Sequence, residues 1–87
     1  MERFEKVYVV DTNLILESQD WYEYLRDGLI VFPITTISEV DKYKSNMDSL
    51  GLNARATSRL IGKVADNIKN SKIVELEKGF FTIEIPN

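Results

Sequence analysis

The stretch "KVYVVDTNLILE", residues 6–17, decides how the rest of the chain is read. Residues 6–10 are β-branched and aromatic with no polar alternation, the pattern of a strand covered on both faces in a parallel sheet. Three residues with oxygen-bearing side chains follow, Asp11, Thr12 and Asn13, before the sequence turns apolar again. Asp is a good N-cap, so a short helix is expected over residues 12–17. The same trio, placed at the carboxyl end of a parallel strand, also stands where α/β sheets gather ligands. Cap and metal ligand are therefore both open readings of Asp11.

Working outward, "SQDWYEYLRDG" (18–28) places Trp21, Tyr24 and Leu25 at one-face helical spacing and ends on Gly28, read as a C-terminal cap. "LIVFPI" (29–34) reads as a second buried strand with Pro33 near its end. Thr36, Ser38 and Glu39 spell a capping box that opens a helix running to about Lys44. "SNMDSLG" (45–51) reads as a loop, and Leu52 to about Lys69 as the longest helix, with Leu60, Ile61, Val64, Ala65 and Ile68 on its apolar face. "KIVEL" and "FFTIEI", separated by "EKG", are two strands that form either a hairpin or separate members of the sheet. This order predicts a single α/β domain over residues 1–87 with a mostly parallel sheet flanked by helices. A sheet of that kind wants another covering helix after its last strand, and none follows "IPN" in this sequence.

Composition narrows the chemistry. With no Cys and no His, there is no disulfide framework, no thiolate zinc site and no Ser-His-Asp triad. Any bound metal must be held by oxygen, which points to magnesium or manganese. No apolar run approaches the roughly 20 residues of a membrane span and no cleavable signal is visible, so a cytoplasmic protein without membrane partners is expected. The net charge of −3 is unevenly placed. Residues 1–41 carry −6, residues 42–72 carry +5 and residues 73–87 carry −2, so a basic middle third offers a surface for a polyanion.

Asp11 follows the first strand and Glu39 belongs to the helix after the second. If those strands are neighbours, the two carboxylates converge and could hold a divalent cation that activates water against a phosphodiester. Each acid also has a purely structural role available, as N-cap and as capping-box partner. Asp41 reads as a first-turn acid favourable to the helix dipole, and Asn13 as a local turn former. Arg55, Arg59 and Lys63 recur every four residues along the long helix, with Lys42 and Lys44 before it. They could contact phosphates of a nucleic acid or form an ordinary solvated face.

Taken together, "VYVVDTNLIL", "IVFPITTISEVDKYK" and "LGLNARATSRLI" resemble the PIN nuclease domain, particularly the PIN module found beside PhoH-like ATPases. The resemblance implies a Rossmann-like α/β fold and a magnesium- or manganese-dependent endoribonuclease, a hydrolase of single-stranded RNA. It places catalytic, metal-binding acids at Asp11 and Glu39, with Thr12, Asn13 and Asp41 in support and Lys42, Arg55, Arg59 and Lys63 toward RNA. The family's third and fourth acids lie after a strand like "FFTIEI", and Glu75, Glu77 and Glu84 are not in that arrangement. The chain is accordingly expected to hold the N-terminal part of the usual fold, incomplete at its C-terminus. Two functions follow: a metal-dependent ribonuclease, or an inactive RNA- or protein-binding module. A shortened sheet further predicts a homo-oligomer, or a partner chain that completes the fold.

Overall fold

The structure, a computed structural model, describes residues 4–68 and 72–84. Its elements are β1 (Val7–Val9), α1 (Thr12–Glu17), a 3-10 helix (Trp21–Leu25), β2 (Leu29–Phe32), α2 (Ile34–Tyr43), α3 (Ser49–Asn67), β3 (Val74–Leu76) and β4 (Gly79–Ile83). The sheet order is β1-β2-β4-β3, with β1–β2 and β2–β4 parallel and β3–β4 antiparallel. The expected mostly parallel α/β sheet is therefore present, and "KIVEL" and "FFTIEI" form a hairpin. Among the described residues, no helix is long and apolar enough to cross a membrane.

Register explains the core. Tyr8, Ile30, Phe81 and Val74 sit in one cross-strand row, and Phe32 pairs with Ile83 on the same face. Ile30, Phe32, Phe81 and Val74 are buried there with Ile15, Leu16, Val40, Ala54, Leu60, Ile61 and Val64 from the helices. Phe32 and Phe81 stack with centroids 5.9 Å apart, and Trp21 meets Phe32 edge-on. The Trp21 indole N–H donates to Thr57 Oγ1 at 2.9 Å, so the one polar atom of this large ring is satisfied inside the core. Asn53 Nδ2 similarly donates to the Leu16 carbonyl at 2.7 Å and ties α3 to the end of α1.

Several local expectations are corrected. β1 is not covered on both faces: it is an edge strand, and Val7 and Val9 are 56% and 65% exposed on the face opposite the core. On the same face Leu29, Val31, Phe80 and Thr82 remain half-buried, so this apolar face is only partly covered. Tyr24 is exposed rather than packed with Trp21; Tyr22 instead packs edge-on against Phe81. The long helix starts at Ser49 because Asp48 caps it, accepting from the Gly51 N–H at 3.3 Å. Gly51 belongs to that first turn and not to a loop: a Cβ there would fall 1.9 Å from the Asn46 carbonyl oxygen. On the same helix Ala65 is exposed, while Leu60, Ile61 and Val64 are buried.

Gly28 does not cap a helix in a left-handed conformation. It lies where β2 starts beside β1, and a Cβ would stand 2.6 Å from the Lys6 carbonyl oxygen, itself the acceptor for Leu29 N–H at 3.0 Å. The capping box is also absent. Pro33 precedes α2 as its N-cap residue, the Thr36 hydroxyl donates to the Val10 carbonyl at 3.0 Å, and Glu39 turns toward Thr12. Burial decides this outcome, since Thr36 is packed under the end of β1, where Val10 has a carbonyl that needs a donor.

Candidate active site

The parallel pairing of β1 and β2 puts their carboxyl ends side by side, so the two segments that leave them start from one edge of the sheet. Asp11 leaves first. Its backbone is extended, and its Oδ1 accepts from the Leu14 N–H at 3.1 Å, which caps α1. Only one carboxylate oxygen is needed for the cap, so Oδ2 is free to face outward. Glu39 lies in the second turn of α2, and its Oε1 accepts from the Thr12 hydroxyl at 2.6 Å. That short bond joins Glu39 to the residue after Asp11.

Asp11, Thr12, Asn13, Glu39, Lys42 and Tyr43 line one cavity of about 330 Å³. Two carboxylates share it, while Asp11, Glu39 and Lys42 form no ion pair with any described residue. Unneutralised carboxylates in one cleft favour a cation between them. The donor set is all oxygen, as magnesium and manganese prefer, and magnesium commonly takes one or two protein carboxylates with water and phosphate oxygens completing its shell. The residues present therefore fit a hydrated hard cation, although no group of three or more acidic, His or Cys side chains forms a complete cage among the described residues.

The other residues expected at the site part company. Lys42 enters the cavity, and Tyr43, which sequence reasoning missed, joins it because it follows Glu39 by four positions on one helix face. Asp41 points elsewhere and pairs with Lys44 at 3.5 Å. Arg55 has a structural position: its Nη1 donates to the carbonyls of Lys44 and Asn46 at 2.8 and 3.0 Å, closing the turn between α2 and α3. Arg59 and Lys63 line a different cavity. The basic stripe is therefore a feature of the α3 surface and does not converge on the two acids.

Comparison with known proteins agrees with this fold. The PIN domain family model matches residues 8–84. The chain is 34% identical over 74 residues to Protein PhoH2 of Bacillus subtilis (strain 168), an alignment covering 85% of this chain and 17% of that protein. No solved structure matches. PIN domains are usually nucleases and generally depend on divalent metal. With residues 8–84 inside the family model and a mostly parallel sheet flanked by helices, this chain belongs to the PIN domain family.

Proposed function

We propose that this domain supplies acidic residues of a metal-dependent endoribonuclease acting on single-stranded RNA in the cytoplasm. The observation that carries the reading is the shared cavity of Asp11 and Glu39, open to solvent and without a protein cation paired to either acid. Asp11 and Glu39 would hold magnesium or manganese, which when bound polarises the phosphodiester and activates water for attack. Thr12 keeps Glu39 facing the cavity, and Lys42, with no carboxylate partner of its own, is placed to receive a phosphate oxygen. Asn13 adds a neutral oxygen donor to the same wall.

A manganese titration followed through backbone amide NMR tests this directly. Saturable effects centred on residues 11–13 and 39, lost in Asp11→Asn, are the expected outcome, together with manganese-dependent cleavage of an unstructured RNA. Effects scattered over the surface acids, equal in the wild type and the variant, would sink the reading.

A second reading has its own observation. Val7 and Val9 expose an apolar strip on the edge strand β1, the type of surface that recruits another chain. On this reading the domain is a self-associating RNA- or protein-binding module. Light scattering across a concentration series tests the association: concentration-dependent dimers that vanish in Val7→Lys, Val9→Lys support it, and a monomer throughout counts against it.

A further inference from the structure

A second concavity, of about 290 Å³, shares no residue with the Asp11 cavity. Its wall is drawn from three parts of the chain: Asp20 and Tyr22 at the start of the 3-10 helix, Arg59, Leu60 and Lys63 on α3, and Glu77 in the turn of the hairpin. Two acids and two bases thus face one space, yet none of the four forms an ion pair with any described residue. Exposed charges of opposite sign gain little by pairing, because holding two long side chains together costs entropy that a screened attraction barely offsets, so all four are available to a ligand.

The hairpin turn supplies one wall of this space. Glu77 and Lys78 have φ of 48° and 64°, the left-handed region, as a two-residue hairpin turn of this hand demands. Asn-Gly or Asp-Gly would occupy that turn with less strain, and Glu77-Lys78 stands there instead. The turn carries the Glu77 side chain to the rim of the cavity. Tyr22 agrees with this placement: burial, and then the nearby carboxylates of Glu77 and Glu23, push its phenol above the ordinary range.

A simple anion would meet Asp20 and Glu77 as repulsion, and a simple cation would meet Arg59 and Lys63 in the same way. The fitting ligand carries an anionic group at one end and a row of N–H donors at the other, within the volume of a small molecule. A nucleotide has that polarity. We propose that this concavity is a nucleotide subsite for single-stranded RNA, in which Arg59 and Lys63 receive a phosphate and the Glu77 and Asp20 carboxylates read a base edge rich in donors, guanine above all. Guanine offers its ring N–H and amino group side by side, which matches the two oxygens of one carboxylate. Uracil offers one N–H between two carbonyl oxygens, which a carboxylate repels. Single-stranded RNA is commonly read on such edges, with an aromatic side chain in support. Arg59 also lines the adjoining shallow cavity with Lys44, which leads back to α2, the helix that carries Lys42.

The subsite takes its biological sense from the RNA reading above but needs no metal, so the two can fail separately. The test is binding of guanosine and uridine 5′-monophosphates in EDTA, followed through the amides of Tyr22, Ala56 and Leu60. The guanine nucleotide should bind roughly tenfold tighter than the uracil nucleotide, the size of one bidentate base contact. Glu77→Gln with Asp20→Asn should bring that ratio near one, whereas Arg59→Gln with Lys63→Gln should weaken both nucleotides by a similar factor. Equal affinities in the wild type, no response at these amides at millimolar nucleotide, or a base preference unaffected by the acid substitutions would overturn the subsite. Loss of the manganese response at Asp11, with nucleotide selectivity intact, would count against the nuclease reading alone.

Discussion

Carboxylates stand beside the two ends of β1 in opposite electrostatic conditions. At its amino end, Asp27 is held on both oxygens: Lys6 Nζ donates to Oδ2 at 2.8 Å and the Tyr8 hydroxyl to Oδ1 at 2.9 Å. At its carboxyl end, Asp11 and Glu39 share a cavity, accept only an amide N–H and a hydroxyl, and have no ion-pair partner among the described residues. The first arrangement is complete as it stands and pins strand to strand. The second leaves negative charge unanswered, which is what a cation-binding site needs before the cation arrives. Acids stand beside both ends of this strand, and they differ in how far they are neutralised.

The largest effect should come from exchanging the same chemistry at the two ends. On the proposed metal reading, Asp11→Asn is expected to lower manganese affinity and any RNA cleavage by about 100-fold or more, because it would remove a direct ligand where outer-shell partners alone are worth about 10- to 100-fold. Asp27→Asn should leave both unchanged. Isothermal titration with manganese reads the contrast, and similar losses in both variants would mean that the ends are not functionally distinct.

Gly28→Ala tests the closed end by sterics instead of charge. The new methyl would lie 2.6 Å from the Lys6 carbonyl oxygen and 2.9 Å from the Tyr8 ring, inside contact distance of the backbone itself. Overpacking of this kind costs about 1–3 kcal/mol. Urea denaturation should show that loss while the manganese response at Asp11 persists in the folded fraction. A cost under about 0.5 kcal/mol, the range of an ordinary surface change, would mean that the strands separate easily there.

These two positions also show what a sequence can reveal. Asp11 was readable because an N-cap is local: the carboxylate, the Leu14 amide and the apolar run after it lie within a few residues. The parallel sheet was readable from apolar strands alternating with helices. Gly28 was not, because its requirement comes from Lys6 and Tyr8, some twenty positions away, and a glycine after a helical pattern looks like a cap. Thr36 and Glu39 fit a capping box by spacing, but burial against Val10 and the reach of Thr12 redirected both side chains. Arg55 and Arg59 share one stripe by periodicity, and only the path of the α2–α3 turn shows that the first holds carbonyls while the second faces a cavity. Local chemistry was legible; which partner wins across the fold was not.

A smaller effect should separate position from ligation at the open end. Thr12→Val keeps the shape of the side chain and removes the donor to Glu39 Oε1. Asp11 and its cap remain, so the domain should fold normally, with manganese affinity reduced about tenfold, as for loss of an outer-shell partner. Thr12→Ser should restore most of the affinity, since it keeps the hydroxyl. An affinity unchanged in Thr12→Val would show that Glu39 finds the cavity without help.

The smallest effect is the contribution of the closed end to stability as pH changes. Hydrogen bonds from Lys6 and then Tyr8 hold the Asp27 carboxyl below its usual value of 3.8. Its share of stability is present above the unfolded value and is lost as pH falls through the lowered folded value. The same contact to Asp27 raises Lys6 above 10.5 and Tyr8 above 10.0, so their share is present below those values and is lost as pH rises through the raised ones. The network should therefore hold across the neutral range and weaken at both extremes. Because Lys6 and Asp27 are 60% and 52% exposed, the effect should be slight and should shrink further in high salt. Thermal melts of wild type and Asp27→Asn should differ most near neutral pH and low salt, and converge in strong acid. A difference that grows in acid would reverse the sign and show that Asp27 is held in its protonated form, which would erase the electrostatic contrast between the two ends of β1.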